Sequence, residues 1–330
     1  MSDCRTSILG RAVCIVALAA GLAVLSFAAA QSVTIAETGS TLIYPLFNAW
    51  IGAYAKIDPN VHMTAAATGS GEGITQAIAK QVQIGTSDAY MSDNQVMANP
   101  HILNIPLAIS AQTVEANLPE LRGSTLKLSG PVLADIYSGK IRDWDAQPIA
   151  DMNRGVQLPH HPIVPVRRAD SSGDTFIYTQ FLSFSTPTWE HTIGYGTTVN
   201  WPSVSGSLTA SSNQNMVETI ARTPYAVGYL GASFEADADK AGLIIAMLKN
   251  QDGNFVLPSV ATITPAAAAL TPRTPPDERL TLVFAPGPNS YPLINYEYAV
   301  VSERQPDSQV AGGHQQFPAL VYLAARGQRK

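Results

Sequence analysis

From residue 33 onward, apolar and polar positions fall into short blocks that switch between two periods. "SVTIAE" reads as a short strand, and in the segment after it Leu42, Leu46, Phe47, Trp50, Ile51 and Tyr54 recur at helical spacing, predicting a helix with one buried face. "VHMTAAA" predicts a second strand, Ile74, Ala77 and Ile78 mark the next helical face, and "VQIGTSD" predicts a third strand ending on Asp88. The unit recurs mid-chain, where "HPIVPVRRAD" predicts a strand ending in Arg167 and Arg168 and "SSGDTFIYTQFLSF" opens a helix. Between these regions, "GPVLADIYSGKIRDWDAQPIADMN" reads as two short helices around a glycine turn. Later come a helix through Val217 and Ile220 with a short strand behind it, then the proline-rich "TITPAAAALTPRTPPDERL", which reads as a surface connection. "YPLINYEYAVV" predicts a long apolar strand crossing back to the first group.

Strand, glycine-serine turn and helix in succession imply an α/β chain with a parallel sheet and helical crossovers. Ligands of such sheets sit at the carboxyl ends of the strands. Ser40 and Thr41, Ser70 and Gly71, and Asp88 each fall at such an end, so three loops converge. The mid-chain repeat adds a second set, and the expectation is two α/β lobes sharing one cleft.

Composition narrows the class. At 46% hydrophobic and 14% charged, the chain is an ordinary globular one, long enough for two domains. Residues 1–30 carry Arg5 and Arg11 ahead of an apolar run that closes on Ala28 and Ala30, the pattern of a cleavable secretory signal. As a membrane anchor the run is slightly short. Cleavage after Ala30 removes Cys4 and Cys14, the only cysteines, and with them any disulfide framework or thiolate metal site. The formal charge of −5 argues against nucleic acid as a partner.

The candidate chemistry is capture of an oxyanion. A helix N-terminus offers unpaired N–H groups and a partial positive charge, glycine permits close approach, and hydroxyls add donors, so an anion can be held without lysine. Ser70 to Gly73 would form one such cradle, with Thr41 and Ser172-Gly173 supplying two more. Arg168 adds a planar cationic fork. Asp88 repels an anion unless the anion brings a proton, which hydrogen phosphate has near neutral pH and sulfate lacks. The alternative for Asp88 is a helix cap or a partner of Arg168.

Other chemistries fit less well. Thr68 and Asp170 occupy the first glycine position that a hydrolase nucleophile elbow requires, and no lysine follows the glycines as a P-loop requires. His160 and His161 are adjacent on a proline-flanked loop, an arrangement that seldom converges on one metal ion. No cofactor and no metal are expected.

The segments "TGSTLIYPLFNAW", "TGSGEGITQAIAKQVQIGTSDAYMSD", "DIYSGKIRDWD", "VRRADSSGDTF", "TPYAVGYL" and "YPLINYEYAVV" together resemble the periplasmic phosphate-binding proteins of phosphate-specific ABC transporters. They run in that family's order through most of residues 33–305. The resemblance implies a two-lobed venus-flytrap fold of type II, with residues 31–111 and 291–330 in one lobe and 112–290 in the other. It implies phosphate held in the cleft by Thr41, Leu42, Ser70, Asp88, Arg168, Ser172, Gly173 and Asp174, supported by Ser40, Gly71 and Asp170, the last orienting the arginine. It also implies a non-catalytic, monomeric periplasmic protein that delivers phosphate to membrane permease subunits. Asp174 stands where part of the family has a threonine donor, and "AGGHQQFPALVYLAARGQRK" does not match the expected closing helix. A binding protein for another oxyanion is the alternative reading.

Overall fold

Three parallel strands joined by helices open the described part of the molecule, which in this computed structural model comprises residues 32–304. In order they are β1 (Val33–Gly39), α1 (Tyr44–Tyr54), β2 (Val61–Thr64), α2 (Ser70–Ile78) and β3 (Ile84–Ser87), followed by α3 (Asp93–Ala98) and the long β4 (Ile102–Ala116). The chain continues through β5 (Leu126–Leu128), α4 (Gly130–Tyr137), α5 (Gln147–Ala150), β6 (Val164–Arg168), α6 (Gly173–Ser185), α7 (Pro187–Thr192) and β7 (Leu208–Ala210). It closes with α8 (Asn213–Arg222), β8 (Ala226–Gly231), α9 (Glu235–Lys240), β9 (Ile244–Lys249), β10 (Phe255–Val256), α10 (Val260–Leu270) and β11 (Ile294–Ser302). The signal segment and the C-terminal segment discussed above lie outside the described residues.

β1 pairs parallel with both β2 and β3, as helical crossovers require. β11 then inserts antiparallel between β3 and β4, and the order continues through β8 and β6 to β7. β4 joins the two groups of strands. Up to Ala111 it pairs with β11, and from Gln112 it pairs with β8. The carboxyl ends of β1, β3 and β6 therefore lead into Ser40, Asp88 and Ala169.

Apolar packing holds each group. Ile35, Phe47, Tyr54, Ile84, Ala299 and Val301 form one core, and the largest includes Trp144, Phe181 and the stacked pair Tyr178–Tyr229 at 4.3 Å between ring centroids. Two expectations need correction. Leu46, placed on the buried face of the first helix, is 40% exposed, and Leu42 precedes that helix. The segment expected to be a surface connection contains α10, despite Pro265 in its interior. Thr262 Oγ1 accepts from the Ser259 N–H at 2.9 Å at its start and four alanines follow the proline, so capping and high helix propensity offset one missing donor.

Candidate functional site

Ser40 follows β1 and ties the first loops together. Its hydroxyl donates to Asp88 Oδ1 and accepts from the N–H groups of Leu42 at 3.1 Å and Ile43 at 3.3 Å. The Leu42 amide, expected to face a ligand, is thus turned toward Ser40, the local bond serine forms two residues on. Ser70 Oγ accepts from the Asp88 N–H at 3.1 Å. Asp88, 1% exposed, leaves Oδ2 with no N–H or O–H donor from the chain.

Arg168 ends β6 and is 3% exposed. Its backbone N–H donates to Tyr229 Oη at 3.1 Å. Its Nε donates to Asp170 Oδ1 at 2.7 Å, one terminal nitrogen to Asp170 Oδ2, and the other to Asp174 Oδ2 at 2.6 Å. Three of the five guanidinium N–H bonds are so used, and two stay available to an anion. Burial works to lower the Arg168 pKa, but the two carboxylates outweigh it and raise the pKa further above its ordinary value.

Asp174 is the residue around which the second half of the site is built. Its Oδ1 accepts from Gln112 Nε2 at 2.8 Å, and its Oδ2 accepts from Asn213 Nδ2 at 2.7 Å as well as from Arg168. Burial, then the charge of Asp88, raises its pKa to about 6, against the pull of Arg168. Arg168 is thus held charged, and both Asp174 oxygens accept hydrogen bonds. Neither Gln112 nor Asn213 was legible as a site residue, because each reaches Asp174 from a different element, β4 and α8.

The two glycine turns meet face to face. Gly69, at φ 101°, sits in a backbone region that favours glycine, and the Gly71 N–H donates to Ser171 O at 3.0 Å. Gly173 packs directly on Asp88 and Ser70, where an added Cβ would overlap both side chains. The cradle expected at Ser70 to Gly73 is consequently narrower than its sequence implies: Gly71 N–H is bound by Ser171, and Gly73 N–H bonds Gly69 O at 3.0 Å. Ser172 caps α6, its Oγ accepting from Thr175 N–H at 3.2 Å. The N–H groups of Gly173 and Asp174, at the first two positions of α6, have no helical partner. Thr41 Oγ1 joins the network by accepting from Asn213 Nδ2 at 2.8 Å.

The candidate residues thus converge on one place, with Thr41, Ser70, Asp88, Arg168, Ser172 and Asp174 buried and Gly71 and Asp170 at its partly exposed margin. A cavity of about 680 Å³ opens beside it, lined in part by Gly71, Tyr90, Ser171, Phe176, Tyr195 and Arg279, and none of Asp88, Arg168 or Asp174 reaches it. Among the described residues no group of three His, Cys, Asp or Glu side chains is placed to hold a metal ion. His160 pairs with Asp145 at 2.8 Å and His161 stacks on Tyr225, away from the site.

A buried arginine flanked by hydroxyls and helix-terminal amides, where the loops after β1, β3 and β6 meet, defines a receptor for a small oxyanion. A family model described as a PBP superfamily domain matches residues 26–322. The phosphate-binding protein PstS of Pasteurella multocida is 36% identical over 72% of this chain and 67% of its own, and that of Methanocaldococcus jannaschii is 34% identical over 83% and 74%. The solved phosphate-binding protein of Stenotrophomonas maltophilia shares the fold, with a TM-score of 0.63 at 19% identity over 86% of this chain and 82% of that one. The chain belongs to the PstS family of phosphate-binding proteins.

Proposed function

We propose that this chain binds inorganic phosphate and hands it unaltered to the permease of an ABC-type importer. It is a binding protein and not an enzyme, as its family membership implies. Thr41, Ser70, Arg168, Ser172, Gly173 and Asp174 would surround the ligand, with Leu42 contributing at the loop that Ser40 shapes and Asp170 orienting the arginine. The observation that carries this reading is the pairing of two available Arg168 N–H bonds with the buried Asp88 carboxylate. An anion bonded to both must be an acceptor on one side and a donor on the other, and a protonated phosphate is both while sulfate is not.

The ligand closes two lobes, 31–111 with 291–330 and 112–290, on either side of the switch in β4. Contacts such as Gly71 N–H to Ser171 O and the seat of Gly173 on Asp88 belong to the closed form, and phosphate favours that form by bonding to both sides. The protein acts in the periplasm, exported by residues 1–30; among the described residues no helix is long and apolar enough to cross a membrane.

Calorimetric titration tests this, using protein cut after Ala30 and stripped of retained ligand by unfolding and refolding. One-to-one phosphate binding that excess sulfate does not displace is expected. Equal binding of both anions would make it a general oxyanion receptor, and binding of neither would overturn the reading.

A further inference from the structure

Glu297 lies on β11, is 1% exposed, and belongs to none of the loops that the sequence marks as ligand-facing. Its register brings it to the site. Tyr298 pairs with Ser87, Ala299 with Thr86 and Val300 with Gly85, which sets Glu297 directly opposite Asp88 where β3 ends. Residues so opposed carry their side chains on the same face, close enough to touch. On its other side the ladder to β4 shifts register between Glu297 and Tyr298, the irregularity by which a strand re-aims a side chain.

The acceptor count of this pair does not close without an added proton. Ser110 Oγ donates to Glu297 Oε1, and Ser40 Oγ donates to Asp88 Oδ1. Glu297 Oε2 and Asp88 Oδ2 are both buried and receive no donor from any side chain or N–H. Two ionised carboxylates cannot face each other in that way, whereas one proton between them satisfies both oxygens.

We propose that Glu297 is a positioning residue of the anion site: as a neutral acid it donates its proton to Asp88 Oδ2, fixing that carboxylate and keeping a second full charge away from the bound phosphate. The groups around Glu297 agree. Asp88 faces it from β3, Asp174 acts on it from α6, Arg168 is engaged by Asp174 and Asp170, and from β4 the uncharged Ser110 donates to it. Burial first, then the charge and hydrogen bond of Asp88, hold its carboxyl well above the usual range. Each Asp88 oxygen keeps a further lone pair, so the ligand's O–H can still be accepted.

This inference rests on the phosphate reading, and two measurements separate them. Infrared spectra of wild-type and Glu297→Gln protein at about pH 8, where an ordinary carboxyl is ionised, should differ by one neutral-acid carbonyl band, which the wild type shows beyond whatever Glu115 contributes to both. Phosphate titration should find Glu297→Ala about tenfold or more weaker, as an unpaired buried Asp88 oxygen implies, with Glu297→Gln recovering most of that loss through its N–H donor. The wild-type affinity should also fall relative to Glu297→Gln as pH rises. Identical infrared spectra would overturn the proposal whatever the alanine variant does, as would equal affinity of Glu297→Ala and wild type. A wild type that fails to bind phosphate while keeping the acid band would instead sink the phosphate reading and leave the Glu297 proton standing.

Discussion

Asn213 donates to Asp174 Oδ2 at 2.7 Å, and its amide nitrogen also reaches Thr41 Oγ1 at 2.8 Å. One fully buried amide thus joins a threonine after β1 to the first turn of α6, and its own oxygen is held by the Gly231 N–H at 2.8 Å. Asn213→Ala removes both donors and strands the Gly231 N–H. It should weaken phosphate binding by about 1–3 kcal/mol, and calorimetry on the variant checks this. Unchanged affinity would show that the bridge only packs the protein.

Arg168 serves three carboxylate oxygens and, on the proposed reading, would serve the anion with its two remaining N–H bonds. Arg168→Ala should cost about 3–5 kcal/mol, the range for breaking a buried pair and leaving charges uncompensated. Arg168→Lys keeps the charge but has too few donors in the wrong geometry, so most of the loss should persist. A lysine variant with wild-type affinity would mean that charge alone suffices.

Asp88 is the expected selector between anions. Asp88→Asn replaces an acceptor by a donor-bearing amide and removes a negative charge, so sulfate should begin to compete for the site. Competition calorimetry of phosphate against sulfate measures this, and undiminished preference for phosphate would remove Asp88 from the selection.

Among the carboxyls not named in the site, Glu115 on β4 is raised to about 8 by burial, with Glu235 and Asp239 adding repulsion, and Glu37 on β1 is raised to about 7 by burial. A carboxyl whose pKa is raised on folding stabilises the native state below its unfolded value, and that stability is lost as pH rises through the folded value. The thermal midpoint should therefore decline between about pH 5 and 8. Glu115→Gln should flatten the decline, gaining of the order of 4 kcal/mol relative to wild type at the alkaline end. Parallel wild-type and variant curves would show that Glu115 does not titrate there.

How far the sequence reached is clear from these same residues. β1, β3, β6 and α6 were legible because hydrophobic period and glycine-serine punctuation agree locally, and Thr41, Ser70, Asp88, Arg168 and Ser172 sit at the boundaries those signals mark. Gln112, Asn213 and Glu297 were not, since each is an unremarkable position of its own element and acquires a role only through pairing with distant strands. Nor could spacing reveal that Ser171 takes the Gly71 N–H, a contact between segments far apart in the chain. α10 was missed because four alanines outweigh a proline that, read alone, ends a helix.

β4 changes partner between Ala111 and Gln112, and the side chain at the change holds Asp174 directly. Should the two groups of strands move apart on release of the proposed phosphate, the strand would act as a torsion bar. Pulling the two groups of strands apart would rupture a ladder, whereas winding β4 about its own axis would turn Gln112 against Asp174. On the proposed phosphate reading, release of the anion would then be a rotation, opposed by the backbone φ and ψ torsions around Gln112.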